Sequence, residues 1–178
     1  MGNYLKQGFT LIELMITLVI AGILLVIGVP AMHDMIVEQR LSASVNEFIA
    51  AANFARSEAI KRGRPVKICR SVNAETNSDV CSTSSSGDHD STDWGSGWIV
   101  LDPDDQVLLR QGALPDKIYA IASSASLRAI TFTGSGAPIG TMAGGKLTFS
   151  YDGKFDRTVC ITRAGRIRVI PDAVTCPT

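Results

Sequence analysis

The sequence predicts an α+β protein, with one long N-terminal helix followed by a head built on an antiparallel β-sheet. Three observations carry this. A 21-residue apolar run, Phe9 to Val29, lies near the start of the chain. An amphipathic helical pattern then continues as far as Arg62. From Val66 onward, short β-rich runs alternate with turn clusters. The 178 residues amount to one domain with an appendage, and 46% of them are apolar, enough to build a core. Only 6% are aromatic, so that core is mostly aliphatic. The formal net charge is zero, which excludes a globally basic nucleic-acid protein but leaves room for a local basic patch.

The apolar run contains two threonines and one acid, Glu13. As a helix it is about 30 Å long at ~1.5 Å per residue, matching the hydrocarbon thickness of a bilayer. A secretory signal would be followed by a small-residue cleavage site. No Ala-x-Ala site follows Val29; Pro30 comes next, and then more helix. An ordinary membrane anchor leaves Glu13 unexplained, because a carboxylate in hydrocarbon is costly and calls for a partner. Snorkelling of Glu13 to the interface is the plain alternative.

In the second half of the helix, Leu41, Val45, Phe48, Ala52, Ala55 and Ala59 share one face, while Arg40, Ser44, Glu47, Glu58 and Lys61 lie elsewhere. Lys61-Arg62-Gly63-Arg64-Pro65 reads as a helix end: cations in the last turn, glycine at the cap, then proline. One helix from Phe9 to Arg62, bent near Gly28–Pro30, is expected. The strands expected after it are Val66–Arg70, Gly97–Leu101, Gln106–Arg110, Lys117–Ala122, Ala129–Phe132, Lys146–Tyr151, Arg157–Thr162 and Arg166–Ile170. Asp102–Asp105 and Arg163–Gly165 read as hairpin turns, Gly134–Gly140 as a Gly/Pro turn, and Ser82–Ser91 as a surface loop.

Gly8-Phe9-Thr10-Leu11-Ile12-Glu13, with a short leader carrying Lys6, the apolar run and Pro30, resembles the processing site of type IV prepilins and pseudopilins. Ala55-Arg-Ser-Glu-Ala-Ile60, Val66-Lys-Ile-Cys69, Trp94-Gly-Ser-Gly-Trp98 and Gly165-Arg-Ile-Arg168 are similar to the GspH/FimT/FimU branch of minor pilins and pseudopilins. The resemblance implies a pilin fold in which residues 1–8 are a cleaved leader. Residues 9–29 are then a transmembrane and fibre-core helix, 30–62 an amphipathic helix and 63–178 a β-rich head. It further implies cleavage after Gly8 by a prepilin peptidase and methylation of Phe9. Glu13 then pairs with the N-terminal ammonium of a neighbouring subunit. The implied partners are other major and minor pilins and the inner membrane, with the head in the periplasm.

Four cysteines, Cys69, Cys81, Cys160 and Cys176, lie in the part that this resemblance places outside the cytoplasm, where disulfides form. Three connectivities are possible, and proximity favours Cys69–Cys81 with Cys160–Cys176. Their spacing fits no zinc template, and no cofactor or metal is expected. Trp94 and Trp98 read as core anchors at a strand entrance in preference to a stacking platform.

Between Ser71 and Leu109 there are eight acids and no Lys or Arg, which reads as a solvated acidic stretch. Asp88-His-Asp90-Ser-Thr-Asp93 within it lacks the spacing and glycine of a calcium loop. From Lys154 to Arg168 the sign reverses, with five cations (Lys154, Arg157, Arg163, Arg166, Arg168) against Asp156. If Arg163–Gly165 is a turn, Arg166 and Arg168 share one strand face about 7 Å apart, the spacing of successive phosphates. A solvated strand face or a contact to the next subunit is the plain alternative.

His33 and His89 have no triad or metal partners evident in sequence, so catalysis is not expected. Three roles remain: a structural minor pilin, a DNA receptor, and a minor pseudopilin of type II secretion. The receptor reading rests on Gly165-Arg-Ile-Arg168, which resembles the Gly-Arg-x-Arg motif linked to DNA binding in FimT-type pilins. The expected disulfides and the basic hairpin favour the pilus roles, with DNA a sequence-independent backbone partner.

Overall fold

The computed structural model describes residues 9–76, 78–82, 84–85, 89–124, 127–139, 145–171 and 176. The chain divides into two compact units, one up to Gln39 and one from Arg40 onward. A single helix, α1 (Leu11–Arg62), contributes to both, and its helical assignment runs through Pro30 without a break.

In the first unit the apolar side chains from Phe9 to Val29 are exposed, and this part of the helix is long and apolar enough to cross a membrane. In the second unit Leu41, Val45, Phe48, Ala52, Ala55 and Ala59 are all buried, as the periodicity predicts. Ala51 joins them, and four alanines on this face let sheet residues pack close to the helix backbone. Ser44 departs from expectation. It is buried, and its hydroxyl donates back to Arg40 O at 3.2 Å, which satisfies it within the helix. The helix ends at Gly63, whose φ of 63° is the left-handed cap geometry.

Among the described residues the head has nine strands in two antiparallel sheets, where a single sheet was expected. The first contains β1 (Val66–Arg70), β2 (Trp98–Leu101), β3 (Val107–Gln111), β5 (Ala129–Phe132) and β6 (Pro138–Ile139), in the order β3-β2-β1-β5-β6. The second contains β4 (Ile118–Ala122), β7 (Lys146–Tyr151), β8 (Phe155–Ile161) and β9 (Ile167–Pro171), in the order β4-β7-β8-β9. Strand β6 lies inside the segment expected to be only a turn; Pro138 is tolerated there because β6 is an edge strand. Strand β8 starts two residues earlier than expected. Asp152 and Gly153, both at positive φ, make a tight primed turn closed by Lys154 N–H donating to Tyr151 O at 2.9 Å.

One main core draws on α1 and both sheets, from Val66, Ile68 and Ile130 to Ile118, Phe149 and Val159. Phe48 stands at its centre, edge-on to Trp94 and Trp98 at ring separations of 5.8 and 5.4 Å. Both tryptophans are core anchors, 1% and 0% exposed. A smaller cluster, Cys69, Ala74, Ile99 and Leu101, fills the other face of the first sheet. In the structure Cys69 is bonded to Cys81 and Cys160 to Cys176.

Candidate functional site

At the start of the helix, Thr10 is the N-cap: its Oγ1 accepts from Glu13 N–H at 3.3 Å and its carbonyl from Leu14 N–H at 3.2 Å. Glu13 therefore stands at the third helical position, where a carboxylate favours the helix dipole. Among the described residues no cation meets it. Its neighbours Leu11, Ile12, Leu14 and Met15 are exposed apolar side chains. Gly8, the residue before the expected cleavage point, lies outside the described residues.

The basic C-terminal segment is not one patch. Lys154 sits in the β7–β8 turn, and Arg163 sits in the turn at the opposite end of β8, roughly 30 Å away at ~3.3 Å per residue. Pairing of Cys160 with Arg168 and of Arg157 with Pro171 puts Arg157 and Arg168 three positions out of phase. Arg157 is therefore on the opposite sheet face from Arg168. The cations that the fold groups at one end of the second sheet are Arg163, Arg166 and Arg168, all exposed. Among the described residues none of their side chains makes an ion pair. The other face of β9 is less buried than expected: Ile167 packs on the core, but Val169 is 42% exposed.

The turn carrying these arginines is tightly built. Gly165 N–H donates to Thr162 O at 2.8 Å, Thr162 N–H to Arg166 O at 2.9 Å, and Arg166 N–H to Thr162 Oγ1 at 3.1 Å. Gly165 has φ 76°, as a three-residue hairpin turn with a bulge requires. It rests against a second hairpin turn, Thr133–Gly136 between β5 and β6, in which Gly136 N–H donates to Thr133 O at 2.8 Å. Arg56 of α1 reaches both turns, donating from Nε to Gly136 O at 3.0 Å and from a terminal nitrogen to Ala164 O at 3.4 Å. Sequence reasoning placed Arg56 in a family-like motif but gave it no role.

The acidic stretch is solvated as expected at Asp79, Asp104 and Asp105, but four of its acids also meet cations. Asp102 accepts from the backbone N–H groups of Asp104 and Gln106 at 2.9 Å each, closing the β2–β3 turn, and its other oxygen meets Arg62 at 3.2 Å. Asp104 forms a two-bond pair with Arg64 at 3.1 Å, Asp105 meets Lys67 at 3.3 Å, and Asp79 meets Arg110. The Arg64 guanidinium holds Asp104 below the usual carboxylate range and is itself pushed up by it. Four of the eight acids thus meet cations from the helix end, β1 and β3. The residual positive charge at the Arg163–Arg168 turn is less opposed than the sequence suggests.

Asp93 is a structural hub, 2% exposed. Its Oδ1 accepts from Gly95 N–H and Ala120 N–H at 2.7 Å each, and its Oδ2 meets His89 Nδ1 at 2.6 Å. The pairing supplies His89 with a partner that was not evident in sequence. Arg70, fully buried, donates from Nε to Asp93 O at 2.6 Å and from a terminal nitrogen to Ser84 O. Burial pushes the Arg70 pKa down, and Asp93 and Asp90 pull it back. A nearby cavity of about 120 Å³, lined by Glu75, His89 and Ser96 among others, is the size of a few water molecules.

Against solved structures, the fold is similar to two crystal forms of the type IV minor pilin FimU of Pseudomonas aeruginosa. The first aligns over 79% of this chain and 97% of that one, with a TM-score of 0.59 and 21% identity. The second covers 76% and 99%, with a TM-score of 0.54. The long apolar-tipped helix and the β head define a type IV pilin-like protein of a pilus or pseudopilus. More particularly, the chain belongs to the GspH family: the model described as "Type II transport protein GspH" matches residues 44–165.

A prokaryotic N-terminal methylation motif matches residues 4–29. Among curated proteins, Fimbrial protein Q of Moraxella bovis is 38% identical over 82 residues, covering 46% of this chain and 51% of that protein. The chain thus spans about half the length of that relative. The type IV narrow pilus major component of Thermus thermophilus is 39% identical over 88 residues, covering 48% of this chain and 75% of that protein. The family consists of structural subunits.

Proposed function

We propose that this chain is a minor pilin of a type IV pilus whose head also binds DNA through the phosphate backbone. In this reading residues 1–8 are removed between Gly8 and Phe9, and Phe9 is methylated. Residues 9–29 hold the subunit in the inner membrane, with residues 30–178 on the periplasmic side, until it enters the fibre. Glu13 then meets the N-terminal ammonium of a neighbour, since opposite charges attract far more strongly away from water.

The observation that carries the DNA reading is the set of exposed guanidiniums at Arg163, Arg166 and Arg168, which make no ion pair among the described residues, on a head where half of the acidic stretch between Ser71 and Leu109 is paired with cations. A planar guanidinium grips a phosphate through two hydrogen bonds. No aromatic side chain lies between these arginines, so recognition of unstacked bases has no support. The test is a fluorescence-anisotropy titration with duplex DNA at several salt concentrations. Log affinity should fall with log salt by about 0.9 per phosphate neutralised. Arg166→Gln with Arg168→Gln should weaken binding to all sequences alike and flatten that slope by roughly one to two. No binding by the wild type at low salt would leave an assembly subunit alone.

The GspH description of the matched model supports a second reading, a minor pseudopilin of type II secretion. A deletion strain separates the two. Loss of pili or DNA uptake with secretion intact supports the first; the reverse supports the second.

A further inference from the structure

We infer that Arg56 is a positioning residue for the basic hairpin, locking two turns from two different sheets against each other. The same geometry makes Gly165 the point of contact between those turns. The inference rests, for its functional consequence, on the DNA-binding reading above.

The argument begins with spacing on the helix. Arg56, Ile60 and Gly63 follow at steps of four and three and share one helix face. All three meet the Thr133–Gly136 turn. A Cβ on Gly134 would lie 2.7 Å from the carbonyl of Gly63, and one on Gly136 would lie 2.8 Å from Ile60 Cδ1 and 3.1 Å from Arg56 Nε. The first turn is thus seated on the end of the helix. The second turn, Thr162–Gly165, is seated on the first: a Cβ on Gly165 would fall well inside contact distance of the Gly136 carbonyl oxygen. That oxygen is backbone and cannot swing aside.

Only a residue without a side chain, and tolerant of φ 76°, allows this approach. The approach crowds two carbonyls, Gly136 O and Ala164 O, into one region. Arg56 answers both from one rigid planar group. A lysine ammonium carries the same charge but lacks the planar fork that spans two fixed acceptors.

The consequence concerns the arginines. Arg163 and Arg166 flank the clamped segment Ala164–Gly165, and Arg168 follows two residues along β9. With the turn held, the three charges are presented at fixed separations. With the turn free, the same charges are present but each must be ordered on binding, which weakens association at unchanged net charge. The glycine of Gly165-Arg-Ile-Arg168 thus acts through packing, while the arginines act on the ligand.

Two charge-preserving variants of the full chain, purified in detergent, test this: Gly165→Ala and Arg56→Lys. Wild type and the Arg166→Gln/Arg168→Gln variant serve as references. Both test variants should bind duplex DNA about tenfold more weakly than wild type; Arg56→Lys should keep an unfolding midpoint, read from Trp94 and Trp98 fluorescence, close to that of wild type, while the strained Gly165→Ala backbone lowers it. Wild-type affinity in both, alongside a weakened double-glutamine variant, would overturn the positioning role.

Amide hydrogen exchange supplies a readout that needs no DNA. In Arg56→Lys, exchange at Gly136 and Gly165 should speed up together by several-fold, although the two turns belong to different sheets. Unchanged exchange at either glycine would overturn the clamp even if DNA binding were lost. If wild type does not bind DNA but both amides respond, the clamp stands and the DNA reading falls. If Gly165→Ala does not fold, Arg56→Lys carries the test, since it leaves the backbone of both turns unstrained.

Discussion

Replacing Asp93 by alanine should destabilise the head more than any other single loss of a polar side chain described above. The carboxylate is buried and its Oδ1 is the acceptor for two backbone donors, Gly95 N–H and Ala120 N–H, each at 2.7 Å. Gly95 lies in the short 3-10 turn Trp94–Ser96 that Asp93 caps, and Ala120 lies in β4 of the second sheet. Asp93 also bridges directly to Ile121. Alanine strands both donors where water does not reach. A buried donor left without a partner costs about 1–3 kcal/mol, so the pair costs about 2–6 kcal/mol.

Loss of the His89 contact is small beside this, because His89 is near the surface and can turn to water. A value near 4 kcal/mol is a large part of a typical domain stability of about 5–15 kcal/mol. It corresponds to roughly 8–16 °C in Tm for a chain of this size. Asn at the same position keeps the oxygen that serves both donors and should cost much less, about 1 kcal/mol. Urea unfolding followed by tryptophan fluorescence reads the effect directly, since Trp94 and Trp98 are both buried beside this site. An Asp93→Ala midpoint within about 1 kcal/mol of wild type would refute the reasoning, because it would mean the two amides are satisfied without the carboxylate.

Three further outcomes are expected. Removing the Cys69–Cys81 bond, which spans 12 residues, by paired alanines should cost about 3 kcal/mol in the loop-entropy model, measured by the same urea titration with dithiothreitol as the chemical counterpart. Asp104, held low by Arg64, should titrate below the ordinary aspartate value of about 3.9, so the contribution of that pair is complete above this value and is lost as pH falls through the lowered one. Carboxyl NMR should show the midpoint rising toward the ordinary value in Arg64→Gln. For the proposed fibre role, Glu13→Ala subunits should still be recovered as chains starting at methylated Phe9 by mass spectrometry, yet be depleted from sheared fibres; wild-type incorporation would rule out the pairing.

Much of this protein is legible without coordinates because the relevant physics is local. The apolar run, its single acid and the residues before Phe9 are contiguous, so a helix long and apolar enough to cross a membrane, with an N-terminal methylation motif, can be read directly from them. The face Leu41–Val45–Phe48–Ala52–Ala55–Ala59 depends only on helical periodicity, and the Gly63 cap only on the preference of glycine for positive φ. Most strands could be placed to within a few residues for the same reason. The Asp152–Gly153 turn was also a local signal, and overlooking it displaced the start of β8.

Partnership between distant segments was not open to that kind of reading. Periodicity identifies a strand but not its neighbour, so one sheet was expected where β1 pairs with β2 and β5, and β4 pairs with β7 in a separate sheet. Arg56 meets its two carbonyls across 80 and 108 residues, and Arg62 and Arg64 meet Asp102 and Asp104 across 40. A linear count of charge therefore overstated the acidic stretch. It also joined Lys154 and Arg157 to a cluster from which β8 and its pairing register separate them. These arrangements exist only once long loops have closed around the shared core of Phe48 and the two sheets, because the core sets which turns meet and which side chains face each other.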